Sequence, residues 1–192
     1  MSSVIISGDT SGAITVSAPA VAGTNTLTLQ AATATNAVNT LGTAVSASGT
    51  AIDFTALPSW VKRITVMLDQ LSTNGTSQYQ FQIGTSGGIQ NTGYVGCSAF
   101  LVFGPTASNF TSGWGIAPSV LAADTYSGQI ILSLLNSSTG VWTCNSVLYR
   151  TSQIVMGGGS KTLSGTLDRV RITTVNGTDT FDAGSVNILY EG

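Results

Sequence analysis

The chain carries few groups that could move a proton. It has no histidine, eight acidic residues and six basic ones, so acid–base work near neutral pH would fall to an aspartate, to Glu191 or to a lysine of shifted pKa. Its closest carboxylate pair is Asp179 and Asp182, flanking Thr180-Phe181. Such a pair could serve glycoside cleavage or hold Ca²⁺, but only across a cleft of fixed width. Asp also favours turns because its side chain bonds the backbone just ahead of it, and in an NGTD…DAG stretch that reading explains both residues. The run Gly157-Gly158-Gly159-Ser160-Lys161 lacks the GxxxxGK[ST] spacing and a following helix; it reads as a flexible hairpin turn. Cys97 and Cys144 fall on separate strands, and two cysteines without histidine cannot complete an ordinary zinc site. They read as two buried thiols, with a disulfide as the alternative. No catalytic residue, cofactor or metal site is expected.

Composition narrows the partners. Charged residues make up 7% of the 192 positions and the formal net charge is −2, against roughly 25% charged in an ordinary soluble domain. With no basic cluster to displace phosphate counterions, nucleic acid is excluded. No apolar run reaches the about 18 residues of a membrane helix; the densest, Ile130–Leu135, is strand length. The first residues, MSSVIISGDTSG, have no basic region followed by a long apolar core and do not read as a signal peptide, so synthesis and assembly in a cytoplasm are expected. A surface of Ser, Thr, Asn, Gln and Gly repels its own copies weakly and suits dense packing.

Strand signals organise the rest. Val4 and Ile6, Ile14 and Val16, and Leu27 and Leu29 alternate in short bursts separated by Gly- and Asn-rich turns. So few large side chains cannot bury a core of their own. Residues 31–50 are small and nearly uncharged and read as a linker. From Ala51 strand signals recur about every 8–12 residues, the pattern of a sandwich or barrel, near 50–54, 61–70, 78–84, 94–103, 128–135, 141–150, 160–166, 168–175 and 185–190. Ile64, Val66 and Leu68 share one face of a strand, while Arg63, Thr65, Met67 and Asp69 share the other. Gln78, Gln80 and Gln82 alternate with Tyr79, Phe81 and Ile83 and are expected to face outward.

Trp60 and Trp142 sit in or beside strands and read as core. Phe110 and Trp114 lie in Gly104–Ala123, the longest aperiodic stretch, and are the candidates for an exposed contact with a neighbouring subunit or a glycan. Arg169 and Arg171, on an outward strand face, need partners: Asp168 or Asp69 within the chain, or a neighbouring subunit.

Three segments of the chain resemble a known family. SGDTSGAITVSAPAVAGTNTLTL (Ser7–Leu29) resembles a segment of tailed-bacteriophage tail-fibre and virion proteins. FTALPSWVKRITVMLDQLSTNGTS (Phe54–Ser77) and LDRVRITTVNGTDTFDAGSVNILYEG (Leu167–Gly192) resemble the body of the same phage structural proteins. The resemblance implies an all-β homotrimer ending in a jelly-roll-like domain. Fibres with this leader usually carry an attachment region ahead of it; here the leader starts at Met1, so attachment is expected of residues 1–50 themselves. The expectation is an all-β chain: a small N-terminal β arm (1–50) attaching to the particle through Val4, Ile6, Ile14, Val16, Leu27 and Leu29, followed by a jelly-roll-like β-sandwich (51–192) and assembled as a trimer. Its partners would be its own copies and the major capsid protein or other virion proteins. The function implied is a non-enzymatic capsid decoration (cement) protein; a tail appendage recognising host surface glycan is the alternative.

Overall fold

The computed structural model describes residues 3–7, 13–17, 38–101 and 107–192. The chain divides into two compact units, Met1–Asn36 and Ala37–Gly192. In the first, β1 (Ser3–Ser7) and β2 (Ala13–Ser17) form an antiparallel hairpin. Its register sets Val4 opposite Val16 and Ile6 opposite Ile14, as two alternating bursts joined by a Gly-Asp-Thr-Ser-Gly turn would pair. Leu27 and Leu29 lie outside the described residues.

The second unit is all-β, with no helix among the described residues. Its strands are β3 (Asn39–Leu41), β4 (Val45–Ser46), β5 (Ala51–Phe54), β6 (Arg63–Thr73), β7 (Tyr79–Thr85), β8 (Gly88–Ile89), β9 (Tyr94–Phe100), β10 (Ala107–Phe110), β11 (Trp114–Gly115), β12 (Tyr126–Asn136), β13 (Val141–Arg150), β14 (Gln153–Thr162), β15 (Arg169–Thr174) and β16 (Phe181–Glu191). Nine of them form one antiparallel sheet in the order β10-β9-β14-β13-β12-β6-β16-β3, with β4 also on β16. Five form a second, β11-β7-β15-β5, with β8 on β7.

The two sheets close on a single core as a sandwich. Ile64, Val66, Leu68, Ile130, Leu132, Trp142, Leu148 and Ile188 supply it from the large sheet, and Tyr79, Phe81, Ile83, Val170 and Ile172 from the small one. Aromatic rings cross between the layers: Tyr79 lies 5.1 Å from Tyr126 and 5.8 Å from Phe181. Each such buried side chain stabilises the fold by about 1.5–3 kcal/mol relative to exposure. The turns at 74–78 and 175–180 carry the chain from one sheet to the other and are laced together. Asn74 Oδ1 accepts from Thr180 N at 2.9 Å, and Ser77 Oγ accepts from Asn176 N at 3.0 Å.

Three expectations are corrected. Residues 39–46, within the expected linker, form β3 and β4 on β16, because sheet pairing needs backbone groups, not large side chains. Gly157–Lys161 is not a turn: it is the middle of β14, hydrogen-bonded to β13 on one side and β9 on the other. The chain turns earlier, at Thr151-Ser152, where both residues have positive φ (36° and 68°). A two-residue hairpin requires that conformation, but Asn-Gly or Asp-Gly normally marks it. Finally, Gln80 and Gln82 are buried. They stand on the outer face of the small sheet, and the segment after β10 lies over them, so that Gln80 accepts from Ser112 Oγ at 2.8 Å and Gln82 donates to Ser112 O at 2.8 Å.

Candidate functional site

In the described part of the long loop, residues 107–123, the two candidate aromatics are turned inward. Trp114 is 1% exposed and Phe110 4%, so neither is available to a glycan or a neighbouring subunit. The correction has a clear cause in β9 and β14. Their inward positions 96, 157 and 159 are glycines, and a Cβ on Gly96 or Gly159 would stand only 3.0 or 2.9 Å from Trp114 Cδ1, closer than side-chain carbons pack. The missing side chains make a slot one indole deep. Trp114 fills it, stacked 6.4 Å from Phe81 and edge-on to Tyr94 at 5.0 Å, while β11 pairs with β7. Glycine spacing within a strand was the sequence signal for this slot.

A buried ion pair ties down the end of the same loop. Arg150 Nη2 meets Asp124 Oδ2 at 2.6 Å with both side chains largely buried, and the guanidinium lies 4.9 Å over the Phe100 ring. Asp124 also accepts from Leu121 N at 2.7 Å. Sequence inspection missed this pair; nothing local links residues 26 positions apart.

Most other ionisable side chains of the second unit have partners, Lys62, Asp69 and Asp182 being exposed. Arg171 makes a two-point contact with Asp53, both distances 2.7 Å, across the β15–β5 register. Arg169 holds Asp168 at 2.7 Å and donates to Ser86 O. Both arginines therefore have partners within the chain; Asp168 was one of those expected, and Asp53 stands where Asp69 was the other candidate. Arg63 meets Glu191 at 3.5 Å. Lys161 donates to Gln90 Oε1 and Thr162 O at 3.0 and 2.8 Å over the face of Tyr94, and burial lowers its pKa. Asp179 accepts from Asn176 Nδ2 at 2.7 Å and Ser77 N at 2.8 Å, the turn role expected of it. Those bonds, that from Asn176 foremost, hold its carboxyl below the usual range. Asp182 is exposed. No cluster of three or more metal-ligating side chains occurs among the described residues.

Cys97 and Cys144 are free. Cys144 is buried, which raises its thiol pKa, but Cys97 is exposed, against the expectation that both are core. They lie on β9 and β13 with β14 between them. That separation, about 10 Å at the usual strand spacing, exceeds disulfide reach, and the two side chains face opposite ways.

A concavity lies at the end of the sandwich where the β12–β13 turn meets the segment after β14. It encloses about 400 Å³. Its floor is Val61, Leu134, Trp142 and Leu163, and its rim carries the hydroxyl side chains of residues 59, 137–139, 164 and 166. No charged residue lines it. A site of this kind can hold a neutral, hydroxyl-rich molecule but supplies no acid, base or nucleophile activated by a neighbour. Comparison with protein families, with curated proteins and with solved structures finds no match.

Proposed function

We propose that the protein is a non-enzymatic structural component of a bacteriophage virion, a capsid decoration protein that works as a homotrimer and is assembled in the host cytoplasm. The observation that carries this reading is the division of the chain into a small hairpin-bearing unit, Met1–Asn36, and a second unit, Ala37–Gly192, with a complete sandwich core of its own. A two-stranded hairpin is at best marginally stable alone, so a short unit built on one is suited to pairing with another surface. The major capsid protein would supply that surface. The resemblance of Ser7–Leu29 to phage structural segments points the same way. Of the six cations, four are held in ion pairs and Lys161 in neutral hydrogen bonds, which leaves little acid–base machinery for catalysis. Three weak attachments per trimer would multiply into firm binding through effective concentration.

The test is removal of residues 1–36 and measurement of particle occupancy. The truncated protein is expected to fold and to lose particle binding; full occupancy without the first unit would reject the attachment role. Immunogold labelling then separates head from tail.

A second reading, a tail appendage recognising host surface glycan, is favoured by the uncharged, hydroxyl-rimmed cleft around Trp142. It moves the proposed contact from Phe110 and Trp114 to that cleft. Label confined to the tail, with adsorption lost on filling the cleft by Ser138→Trp, would support it; unchanged adsorption of that variant would remove it.

A further inference from the structure

Over β13, β14 and β9 the outward face of the large sheet is apolar at positions where a solvated sheet would alternate to polar residues. Leu101, Val147, Tyr149, Ile154 and Met156 are 39–60% exposed, and the register brings them together with Ala99. Tyr149 stands opposite Ile154, Val147 opposite Met156, and Met156 opposite Ala99. Leu101 N donates to Ile154 O at 2.9 Å, which places Leu101 beside Ile154. The result is a flat patch two residues deep across three hydrogen-bonded strands.

No charge interrupts it. β9, β12, β13 and β14 carry only two charged residues, Arg150 and Lys161, and both are turned to the other side, against Phe100 and Tyr94. The uncharged face continues onto Ile131 of β12 and Ala107 of β10 through the pairs Ile131–Asn145 and Ala107–Ala99. At about 4.8 Å between strands and 3.4 Å per residue, the apolar centre has a flat footprint of roughly 200 Å², and the uncharged face with Gln129, Asn145 and Asn109 at its margin roughly 500 Å². An apolar centre inside a polar, uncharged margin is the anatomy of a protein interface, here at the small end of the size range. Its composition also fits an interface core, in which charge is depleted and Tyr and Met are enriched.

We propose that this face is where copies of the chain associate, the occupant being the same apolar face of a second copy. A surface without charge offers an unlike, charged partner nothing to pair with and would desolvate that partner's charges at a cost. A copy of itself brings apolar surface to apolar surface. One face packed on the same face of a second copy is a two-fold contact and makes a dimer, so the inference goes beyond the trimer of the proposed function and stands on this face alone, whatever particle the protein joins.

The experiment is the molar mass of the full chain in solution by light scattering, for the wild type and for Val147→Asp and Met156→Lys tested separately. The wild type is expected to be dimeric at micromolar concentration. Each variant should be monomeric with unchanged circular dichroism, since like charges facing across an apolar interface weaken association by about a hundredfold or more. Maleimide labelling of Cys97, one row along β9 from Ala99 on the same face, should be slow in the wild type and fast in the variants. A wild type that is monomeric, or variants that keep the oligomer, would overturn the proposal. Particle occupancy reads the virion role separately: an oligomer that never binds particles leaves the face standing and removes the capsid reading.

Discussion

On the inner side of β9 and β14 the strands carry glycine at 96, 157 and 159, and a loop lowers Trp114 into the space. On the outer side the same two strands carry Val95, Ala99, Ile154 and Met156, and three of these four are widely exposed. The same strands thus have their smallest residues where a large side chain must enter and large apolar ones where solvent would favour polar ones. Backbone pairing is the same for both faces, so the difference lies wholly in side-chain volume and polarity. The inner face is completed within one chain. The outer face reads as completed by another copy.

The largest expected effect comes from emptying the inner slot. Trp114→Ala should destabilise the fold by about 3–5 kcal/mol, the usual loss for a buried large aromatic. Trp114→Phe should cost far less: it keeps the stack on Phe81 and removes an indole N–H that is buried without an acceptor among the described residues. Urea unfolding monitored by circular dichroism orders the two. A small loss in the alanine variant would mean that the loop is not part of the cooperative core, and the contrast between the faces would collapse.

Slightly smaller is the effect of cutting the tether at the end of that loop. Arg150→Met leaves Asp124 buried without its partner, and breaking such a pair costs about 3 kcal/mol or more; the Asp124→Asn, Arg150→Met double variant should recover part of it. If the two single losses simply add, the pair is not coupled and the loop is held by Trp114 alone.

The clasp between the 74–78 and 175–180 turns gives a pH effect. Asp179 has a lowered folded pKa because Asn176 and the Ser77 N–H bond its charged form. Its stabilisation is therefore fully present above the ordinary aspartate range and is lost as pH falls through the lowered value. Asp179→Asn should cost about 0.5–1 kcal/mol at neutral pH, small because solvent screens a partly exposed group. It should also flatten the acid limb of thermal stability against pH. An acid limb as steep as the wild type's would assign that limb to other carboxylates.

How much of this was legible in the sequence depended on the distance over which each signal acts. Alternation at Ile64, Val66 and Leu68, and turn chemistry at Asn176–Asp179, act over a few residues, and they led to the all-β sandwich. The strand expected at 160–166 lies instead at Gln153–Thr162, because three successive glycines look like a turn until two neighbouring strands supply hydrogen bonds on both sides. Trp114 and Phe110 looked exposed because a loop has no period from which to infer burial. The slot that receives Trp114 is written in glycines on two other strands. The Arg150–Asp124 and Arg171–Asp53 pairs were invisible for the same reason, since ion pairing follows register, and register is set by the whole sheet. The apolar outer face was partly readable: Val147, Tyr149, Ile154 and Met156 alternate along their strands, but only the β13–β14 pairing joins them into a patch.

The smallest expected effect is on the outer face, and it separates that face most cleanly from the inner one. Val147 and Met156 are 46% and 44% exposed, so within a single chain their replacement by a charged residue should change stability by no more than about 0.5 kcal/mol, as for surface positions generally. Any larger loss on Val147→Asp should therefore depend on protein concentration, because it would come from dissociation of copies and not from the core. Thermal midpoints of wild type and variant should converge on dilution and separate as concentration rises. A gap independent of concentration would show that Val147 contributes to its own sandwich, as Trp114 does, and the two sides of β9 and β14 would then not differ in kind.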